Sequence, residues 1–277
     1  MEKMIITDLD GTLLRDDQKV SETDENSLVR LGKEGFVRVI ATGRSPYSFS
    51  RVIPDDFPID YLVFSSGAGV MDWQKKEILV SHSVDEAKVQ ELAEIFRDLD
   101  IDFKVLAPIP NNHHYVYYQN GKAHPDFLKR MEYYRGFEEE ISFDPPNFGS
   151  ASQFLLILPN DPGRYNELKN LCHGVKVVRA TSPIDHTSIW MEVFNPVVSK
   201  AEGIRFLCSK LGFERKDTIA VGNDFNDMDL LAFTAKSYVV DNSPEELLSL
   251  YPSVKSNNDN GFTDMLIKEE IMQSLLS

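Results

Sequence analysis

The amino-acid sequence predicts an α/β protein with a doubly wound, mostly parallel, Rossmann-like core sheet and an inserted α+β cap domain. Three observations lead to this prediction. Short apolar segments alternate with helical segments near the N-terminus, and the same alternation returns near the C-terminus. This pattern is typical of a parallel sheet that has helices on both faces. Between the two regions, the middle of the chain mixes helices and strands without that alternation.

The N-terminal region supplies the first three strands of the predicted core sheet. Continuous apolar segments predict strands at residues 4–7, 36–41 and 61–65. A helix is expected between the first two strands, because Ser21 and Asp24 have the spacing of a capping pair. Gly35 is typical of the residue that ends such a helix.

The C-terminal region repeats this order of elements. The predictions, in chain order, are a helix at 199–211, a strand at 218–221, a helix from 226, a strand at 238–240 and a helix from 244. Because these strands have the same apolar character as the N-terminal ones, we expect both regions to contribute to one sheet.

The middle of the chain is predicted to form the cap domain over residues 83–189, so that the catalytic core comprises residues 1–82 and 190–277. Helices are predicted at 84–99, 125–134 and 162–172, and strands at 103–106, 115–118, 154–158 and 175–179. Breaks rich in proline and asparagine separate several of these elements. The two tryptophans, Trp73 and Trp190, are interpreted as packing residues.

Composition argues against several classes of protein. The formal net charge of -15 and the pI of about 4.8 argue against a nucleic-acid partner, because nucleic-acid-binding proteins usually carry basic patches. No apolar segment approaches the roughly 20 residues that span a membrane. Cys172 and Cys208 are expected to be free thiols, and the N-terminus lacks a signal-peptide pattern. We therefore expect a cytoplasmic protein, as a monomer or weak homo-oligomer.

Two acidic residues follow the first strand at a spacing that brings them together. Asp8 and Asp10 point the same way from an extended chain, so their carboxylates repel each other. Asp224 and Asp227, with Asn223, follow a later strand and would reach the same edge of the sheet. Mg²⁺ prefers such oxygen ligands and would cancel the repulsion, so all five residues are metal candidates. Taken singly, Asp8 and Asp10 would also fit a turn.

A lysine and a threonine indicate a phosphate site. Ser199 and Glu202 have the spacing of a capping box, which places Lys200 in the first turn of a helix, where a cation opposes the helix dipole. A bound anion such as phosphate would favour that arrangement. Thr42 closes a buried strand just before Gly43 and could donate to phosphoryl oxygens. Read alone, an exposed lysine and a strand-end threonine would explain the same positions.

The segments that carry these residues resemble the four motifs of the haloacid dehalogenase-like phosphatases, in the order and spacing of the Cof-like members. The four segments are residues 8–12, 41–44, 198–202 and 222–227. Residues 240–246 and 256–261 resemble two later segments of the same family. The predicted cap lies between the second and third motifs, as in the type IIB members. The resemblance covers the whole core, whereas the cap matches in position and rough element content.

The resemblance implies a Mg²⁺-dependent phosphatase that acts on a small phosphorylated metabolite, most often a sugar phosphate. Asp8 would attack phosphorus to form an aspartyl-phosphate, and Asp10 would act as general acid and then as general base. Thr42 and Lys200 would stabilise charge on the phosphoryl oxygens. The cap would close over the site and choose the substrate. The implied substrate-binding residues are Thr42, Gly43, Arg44, Lys200 and Asn242.

The chain departs from the family pattern at two places. Cof-like proteins usually have Asp at the second position of the fourth motif, where this chain has Asn223 followed by Asp224. The sequence therefore leaves open which of these two residues binds the metal directly. The family also often has Asn-Gly-Ala after the third core strand, where this chain has Ser66, Gly67 and Ala68.

Two other functions are compatible with parts of this pattern. Some relatives return the phosphoryl group to the substrate, so a phosphomutase is one alternative. Receiver domains also combine acids, a threonine and a lysine on an α/β sheet, but they lack a counterpart of Asp10 and are much shorter. The sequence also leaves the metabolite open among sugar phosphates, flavin or pyridoxal phosphates and nucleotides.

Overall fold

The computed structural model describes residues 3–121, 123–182 and 184–271, which divide into two compact units. The first unit combines the chain up to Val80 with the chain from Ser199, and the second unit is Ser81–Val198. The boundary expected after residue 189 therefore moves to after residue 198. The physical reason is that a strand at Ile189–Phe194 pairs within the sheet of the second unit.

The described residues form fourteen strands and nine α-helices. The strands are β1 (Met4–Thr7), β2 (Val37–Ala41), β3 (Tyr61–Phe64), β4 (Gly69–Asp72), β5 (Glu77–Ser81), β6 (Phe103–Leu106), β7 (Tyr115–Tyr118), β8 (Glu138–Glu140), β9 (Gln153–Leu158), β10 (Lys176–Thr181), β11 (Ile189–Phe194), β12 (Thr218–Gly222), β13 (Lys236–Val240) and β14 (Ser253–Val254). The helices are α1 (Glu22–Lys33), α2 (Pro46–Phe49), α3 (Glu86–Asp98), α4 (Pro125–Tyr133), α5 (Pro162–Leu171), α6 (Lys200–Leu211), α7 (Met228–Phe233), α8 (Glu245–Leu250) and α9 (Gly261–Lys268).

The first unit contains an eight-stranded sheet in the order β14-β13-β12-β1-β2-β3-β4-β5. The six strands from β14 to β3 are parallel, and β4 runs antiparallel to β3. The predicted α/β class with a parallel-rich sheet is confirmed. The sequence analysis did not predict β4, β5 and β14, because β14 has two residues and the other two strands follow β3 without an intervening α-helix.

Strand β1 is central and buried on both faces, which explains its continuous apolar sequence. Met4 and Ile6 pack in one apolar cluster with residues of α6 and α7, whereas Ile5 points to the opposite face and is equally buried. Thr7, the last residue of β1, lies opposite Ile40 on β2 and Val221 on β12. The carboxyl ends of these three strands therefore meet at one edge of the sheet.

Local capping sets the helix starts that the sequence predicted. The Ser21 hydroxyl accepts a hydrogen bond from the Asp24 backbone N–H at 3.0 Å, which caps α1. In the same way, Ser199 accepts from the Glu202 backbone N–H at 3.1 Å and caps α6.

Within the described part of the chain, no helix is long and apolar enough to cross a membrane.

The second unit contains a six-stranded sheet in the order β10-β11-β9-β6-β7-β8. Its pairs are antiparallel except for β7 and β8, which are parallel. One face of the sheet packs against α3 and α5, with Phe96 and Leu168 of the helices buried against Phe103 and Phe154 of the strands. Because successive residues of a strand point to opposite faces of the sheet, the residues between those of the apolar cluster lie on its second face.

A buried polar contact joins the two ends of the chain in the first unit. The Asp24 carboxylate on α1 accepts hydrogen bonds from the Thr263 hydroxyl at 2.7 Å and from the Thr263 backbone N–H at 3.0 Å. Asp24 is fully buried, so its charge depends on these partners. The contact holds α9 against α1.

Thr263→Val should lower the free energy of unfolding by about 1–3 kcal/mol, because it removes one donor from a buried carboxylate. Thr23→Val, at an exposed position of α1, is the matched control and should change stability by less than about 0.5 kcal/mol. Urea denaturation of the full chain measures both variants. Equal stability of the two variants would show that the Asp24–Thr263 contact does not join the helices.

Candidate active site

The motif residues follow the carboxyl ends of adjacent strands. Asp8 comes directly after β1, Thr42 after β2 and Asn223 after β12, while Lys200 begins α6. Because β12, β1 and β2 are neighbours in the sheet, the chain brings these residues to one place. The segments predicted to meet at one sheet edge therefore do meet there.

A fully buried lysine links two of the acids. Lys200 Nζ donates to Asp8 Oδ1 at 2.7 Å and to Asp227 Oδ1 at 2.6 Å. The lysine and Asp227 side chains are both completely buried, and the Asp8 side chain is 5% exposed. The ammonium thus supplies the positive charge that allows two carboxylates to occupy one buried volume.

The buried charges shift each other's protonation. Burial raises the pKa of Asp8 to about 7, Lys200 opposes this rise, and Asp227 and Asp10 add to it. Burial acts against the charged form of Lys200, yet the carboxylates of Asp227 and Asp8 hold its pKa above the ordinary value. Lys200 therefore stays charged. A further cation beside Asp8 would lower the pKa of its carboxyl group and favour the ionised form.

Asp227 uses both of its oxygens in this arrangement. One oxygen receives Lys200, and Oδ2 accepts from the backbone N–H groups of Asn223 at 2.9 Å and Asp224 at 3.2 Å. The strand before this turn ends in Gly222, where a Cβ would lie 2.6 Å from the Asp227 carboxylate. The turn at 222–227 is therefore wound around the carboxylate that holds Lys200.

Asp10 is paired with Arg44. Arg44 donates from Nη2 to Asp10 Oδ1 at 2.6 Å and from Nε to Oδ2 at 2.8 Å, which is a bidentate pair. The guanidinium also donates to the Ser48 carbonyl at 3.1 Å and the Gln18 side chain at 2.8 Å. The Arg44 guanidinium therefore fixes the position of the Asp10 carboxylate, and its contact with substrate stays a prediction.

Thr42 and Gly43 form the turn after β2. Thr42 is fully buried, and its hydroxyl oxygen accepts from the Arg44 backbone N–H at 3.1 Å. A Cβ on Gly43 would lie 3.5 Å from Ser66 Oγ and 3.8 Å from Asn226 Nδ2. The turn predicted to contact phosphate therefore lies close to Ser66 and Asn226.

Asn242 and Asn223 both lie against the turn that follows Asp10. Asn242 Nδ2 donates to the Gly11 carbonyl at 2.8 Å, and its Oδ1 accepts from the Asn257 backbone N–H at 3.0 Å. A Cβ on Gly11 would lie 2.4 Å from Asn223 Nδ2, and Gly11 has a positive φ of 73°. Asn242 therefore braces the Gly11 turn, and its contact with substrate stays a prediction.

Two further residues of the site were missed by the sequence reading. Thr12 Oγ1 donates to Asp8 Oδ2 at 3.1 Å, so both oxygens of Asp8 have a partner. Asn226 Oδ1 is buried and has no hydrogen-bond partner among the described residues. Both residues stand inside the motif segments, but only the folded chain reveals which neighbour each side chain meets.

The oxygen donors of the site suit a hard cation. Over the described ranges, no three acidic, histidine or cysteine side chains lie close enough together to hold a metal ion. Mg²⁺ does not require such a set, because it commonly takes one or two carboxylates together with waters and substrate oxygens. Asp8, Asp224 and the amide of Asn223, beside the unpartnered oxygen of Asn226, match that preference.

Comparison with known proteins places these residues in a family context. The chain matches the family of haloacid dehalogenase-like hydrolases over residues 5–266. A relative from Buchnera aphidicola of Schizaphis graminum, provisionally named a phosphatase, is 27% identical over 277 residues, covering 98% of this chain and 97% of that protein. The HMP-PP phosphatase of Klebsiella pneumoniae is 23% identical over 263 residues, covering 94% and 91%.

Solved structures share the fold. A phosphatase of the haloalkanoate superfamily from Bacteroides thetaiotaomicron has a TM-score of 0.78 at 18% identity, covering 97% of this chain and 95% of that one. A subclass IIB sugar phosphatase of the same superfamily has a TM-score of 0.77 at 16% identity, covering 97% and 99%.

Lys200→Met should lower the free energy of unfolding by about 3–5 kcal/mol at pH 7, because it leaves two buried carboxylates without their cation. The loss of unfolding free energy should become smaller as the pH falls toward 5, because the Asp8 and Asp227 carboxylates of the variant can then take up protons in the folded state. The control is Lys210→Met, an exposed position near the end of the same helix. Urea unfolding at several pH values checks this, and a pH-independent deficit would contradict it.

Proposed function

Because this chain belongs to the haloacid dehalogenase-like hydrolase family, as a Cof-like phosphatase, we propose that it hydrolyses a small phosphorylated metabolite through an aspartyl-phosphate with the help of Mg²⁺. The observation that carries the proposal is the buried Asp8–Lys200–Asp227 chain, with Asp10 two residues after Asp8. This arrangement offers a nucleophile, a fixed cation and an acid–base group at one sheet edge.

In the first step, an oxygen of Asp8 attacks phosphorus and the bond from phosphorus to the ester oxygen breaks. Asp10, in its protonated form, gives its proton to the leaving oxygen. In the second step, Asp10 takes a proton from water, which attacks the aspartyl-phosphate to release phosphate and restore Asp8. Arg44 holds the ionised Asp10 carboxylate through two hydrogen bonds, and one of them remains when the other Asp10 oxygen carries the proton.

The Lys200 ammonium group and the Thr42 hydroxyl group stabilise the negative charge that develops on the phosphoryl group. Lys200 is held by Asp227, so its ammonium costs no reorganisation during the reaction. Thr42, in the turn after β2, can donate a hydrogen bond from its hydroxyl group to a phosphoryl oxygen, because its oxygen already accepts from the Arg44 N–H. We assign the choice of substrate to the second unit, Ser81–Val198.

The contacts of the five metal candidates favour a metal-ligand role for some of them and another role for the rest. Asp8, the Asp10 backbone carbonyl, Asn223 and Asp224 would hold Mg²⁺, which supplies positive charge to the phosphoryl oxygens when bound. Asp227 is better assigned to positioning Lys200, because its side chain is completely buried and holds both the ammonium and two backbone N–H groups of its own turn. The Asp10 carboxyl group is better assigned to proton transfer than to the metal.

A sugar phosphate is our favoured substrate. The relatives support a small phosphorylated molecule: one is named HMP-PP phosphatase, and one structural neighbour is a sugar phosphatase. A screen of phosphorylated metabolites, with and without Mg²⁺, identifies the substrate. We also place the enzyme in the cytoplasm, where thiols such as Cys172 and Cys208 stay reduced.

Asp8→Asn should lower turnover of p-nitrophenyl phosphate by on the order of 10³-fold or more, because it removes the attacking carboxylate and keeps the shape. Asp10→Asn should also lose turnover but let a phosphorylated Asp8 accumulate, since water is no longer activated. Mass spectrometry after brief exposure to substrate detects this adduct. Asp17→Asn, exposed in the same loop, is the control. Substantial turnover by Asp8→Asn would exclude the mechanism.

Three substitutions test the metal assignment. Asn223→Asp should retain activity and bind Mg²⁺ at least as tightly, because it adds a carboxylate at the same position. Asn223→Ala should raise the Mg²⁺ concentration needed for half-maximal activity about tenfold, the lower end expected when a group in a metal site is lost. Asp224→Ala should raise it by less if Asn223 is the direct ligand. An unchanged Mg²⁺ requirement in Asn223→Ala would transfer that role to Asp224.

A further inference from the structure

Two asparagines outside the four motifs meet at the carboxyl edge of the core sheet. Asn242 follows β13 and Asn257 follows β14, and these two strands are parallel neighbours. The Asn257 backbone N–H donates to Asn242 Oδ1 at 3.0 Å, which joins the two parts of the chain. The asparagines belong to the segments 240–246 and 256–261, which follow the fourth motif in the sequence.

Asn257 uses its side-chain amide to hold the loop that follows Asp10. The residue is 2% exposed, and its Nδ2 donates to the Leu14 carbonyl at 3.0 Å and to Asp16 Oδ1 at 3.1 Å. The next residue, Asn258, makes a reciprocal pair with Asp16. Its Nδ2 donates to Asp16 Oδ2 at 2.9 Å, and its Oδ1 accepts from the Asp16 backbone N–H at 3.2 Å.

The loop at residues 11–16, which we call the Asp10 loop, has little internal support. The N–H groups of residues 12–14 all donate to one carbonyl, that of Leu9, at 3.3, 3.0 and 2.8 Å. A carbonyl oxygen has two lone pairs, so three donors must share them. Two carbonyls of the loop, at Gly11 and Leu14, accept from side chains outside it. The position of the loop therefore depends on these outside contacts.

The position of the Asp10 loop bears directly on the reacting groups. Asp10 immediately precedes the loop and is paired with Leu14 in an isolated β-bridge. Thr12 lies within the loop and donates to Asp8 Oδ2 at 3.1 Å. A displacement of the Leu14 backbone would therefore move both the Asp10 carboxyl group and the hydroxyl group that contacts Asp8.

The turn that carries Asn257 is fixed by its own hydrogen bonds. The Ser256 carbonyl accepts from the backbone N–H groups of Asp259 at 3.0 Å and Gly261 at 3.1 Å. The Ser256 hydroxyl also donates to Asp259 Oδ2 at 2.6 Å. A Cβ on Gly261 would lie 2.2 Å from the Lys255 carbonyl oxygen, so the chain is tightly wound here. Asn257 therefore projects from a firm support toward a weakly supported loop.

An asparagine suits this position because both partners of its Nδ2 are acceptors. One amide nitrogen completes the buried Leu14 carbonyl and also meets the Asp16 carboxylate. A buried carbonyl that loses its donor is destabilising where it stands, which favours a shift of the loop toward water.

We propose that Asn257 is a positioning residue of the active site. Through the Leu14 carbonyl it holds the Asp10 loop, and so keeps the Asp10 carboxyl group where it can give a proton to the leaving oxygen. The effect on turnover rests on the phosphatase reaction proposed above, whereas the contact of Asn257 with the loop does not.

Hydrogen exchange of the full chain tests whether Asn257 holds the loop. Asn257→Asp keeps the size of the side chain but turns a carboxylate toward the Leu14 carbonyl and Asp16. The N–H groups of residues 12–14 should exchange about tenfold faster in this variant, because opening of the loop no longer breaks the bond to Leu14. Thr263→Val is the control, since it also removes a donor from a buried acceptor. It should leave exchange at residues 12–14 unchanged.

Turnover of two phosphate esters tests whether the loop positions Asp10. The phenolate of phenyl phosphate is a poorer leaving group than p-nitrophenolate and depends more on a general acid. Asn257→Asp should therefore lower kcat/KM about tenfold for phenyl phosphate and by less for p-nitrophenyl phosphate. Thr263→Val should leave the ratio of the two kcat/KM values unchanged, because a loss of stability alone affects both esters equally.

A rescue variant connects these effects to the contact itself. Adding Asp16→Asn to Asn257→Asp exchanges the carboxylate and the amide, so that a donor again faces an acceptor. The double variant should slow the exchange at residues 12–14 and recover part of the phenyl phosphate turnover. Recovery should be incomplete, because the Leu14 carbonyl still lacks its donor. Asp17→Asn, at an exposed position in the same part of the chain, is the matched control and should rescue neither property.

Other results overturn the proposal. Unchanged exchange at residues 12–14 in Asn257→Asp shows that Asn257 does not hold the loop. Faster exchange with an unchanged ratio of the two kcat/KM values shows a purely structural contact. If the parent protein hydrolyses neither ester, the proposed function fails, and the exchange experiment alone decides whether Asn257 holds the loop. If Asn257→Asp does not fold, Asp16→Ala replaces it and must change exchange and the kcat/KM ratio in the same directions.

Discussion

The buried ion pairs of Lys200 are the interaction on which the rest of the site depends. They connect residues that are 192 and 27 positions apart in the chain, at the end of β1, the start of α6 and the turn after β12. Asp8 and Asp227 can share a buried volume because the ammonium lies between them. Asp227 in turn anchors two backbone N–H groups of its own turn, so the lysine also fixes the chain that would face a metal.

This arrangement divides the acids into different roles. Asp227 holds the lysine, Asp10 is held by Arg44, and Asp8 accepts from both Lys200 and Thr12. When all are ionised, four carboxylates (Asp8, Asp10, Asp224 and Asp227) and two cations (Lys200 and Arg44) leave a net charge of -2. That charge equals in magnitude the charge of one divalent cation.

Two buried lysines in the described part of the chain show how partners, rather than burial, determine the protonation of an ammonium group. Lys200 and Lys104 are each 1% exposed. Lys200 has two carboxylate partners and a raised pKa, whereas Lys104 has aromatic rings around it and a lowered pKa. The first pattern stabilises a fixed charge for chemistry at the sheet edge. The second leaves a buried ammonium group between the Tyr115 and Phe127 rings, where its charged form is disfavoured.

The sequence by itself determined the alternation of strands and helices, the caps at Ser21 and Ser199, and the segments that carry the chemistry. These features depend on neighbours two to four residues away, so a linear pattern is enough to specify them. Only the tertiary structure decided that Arg44 holds Asp10, 34 residues away, and that Asn242 braces Gly11, 231 residues away. It also moved the boundary from 189 to 198, because strand pairing depends on which distant backbone groups meet.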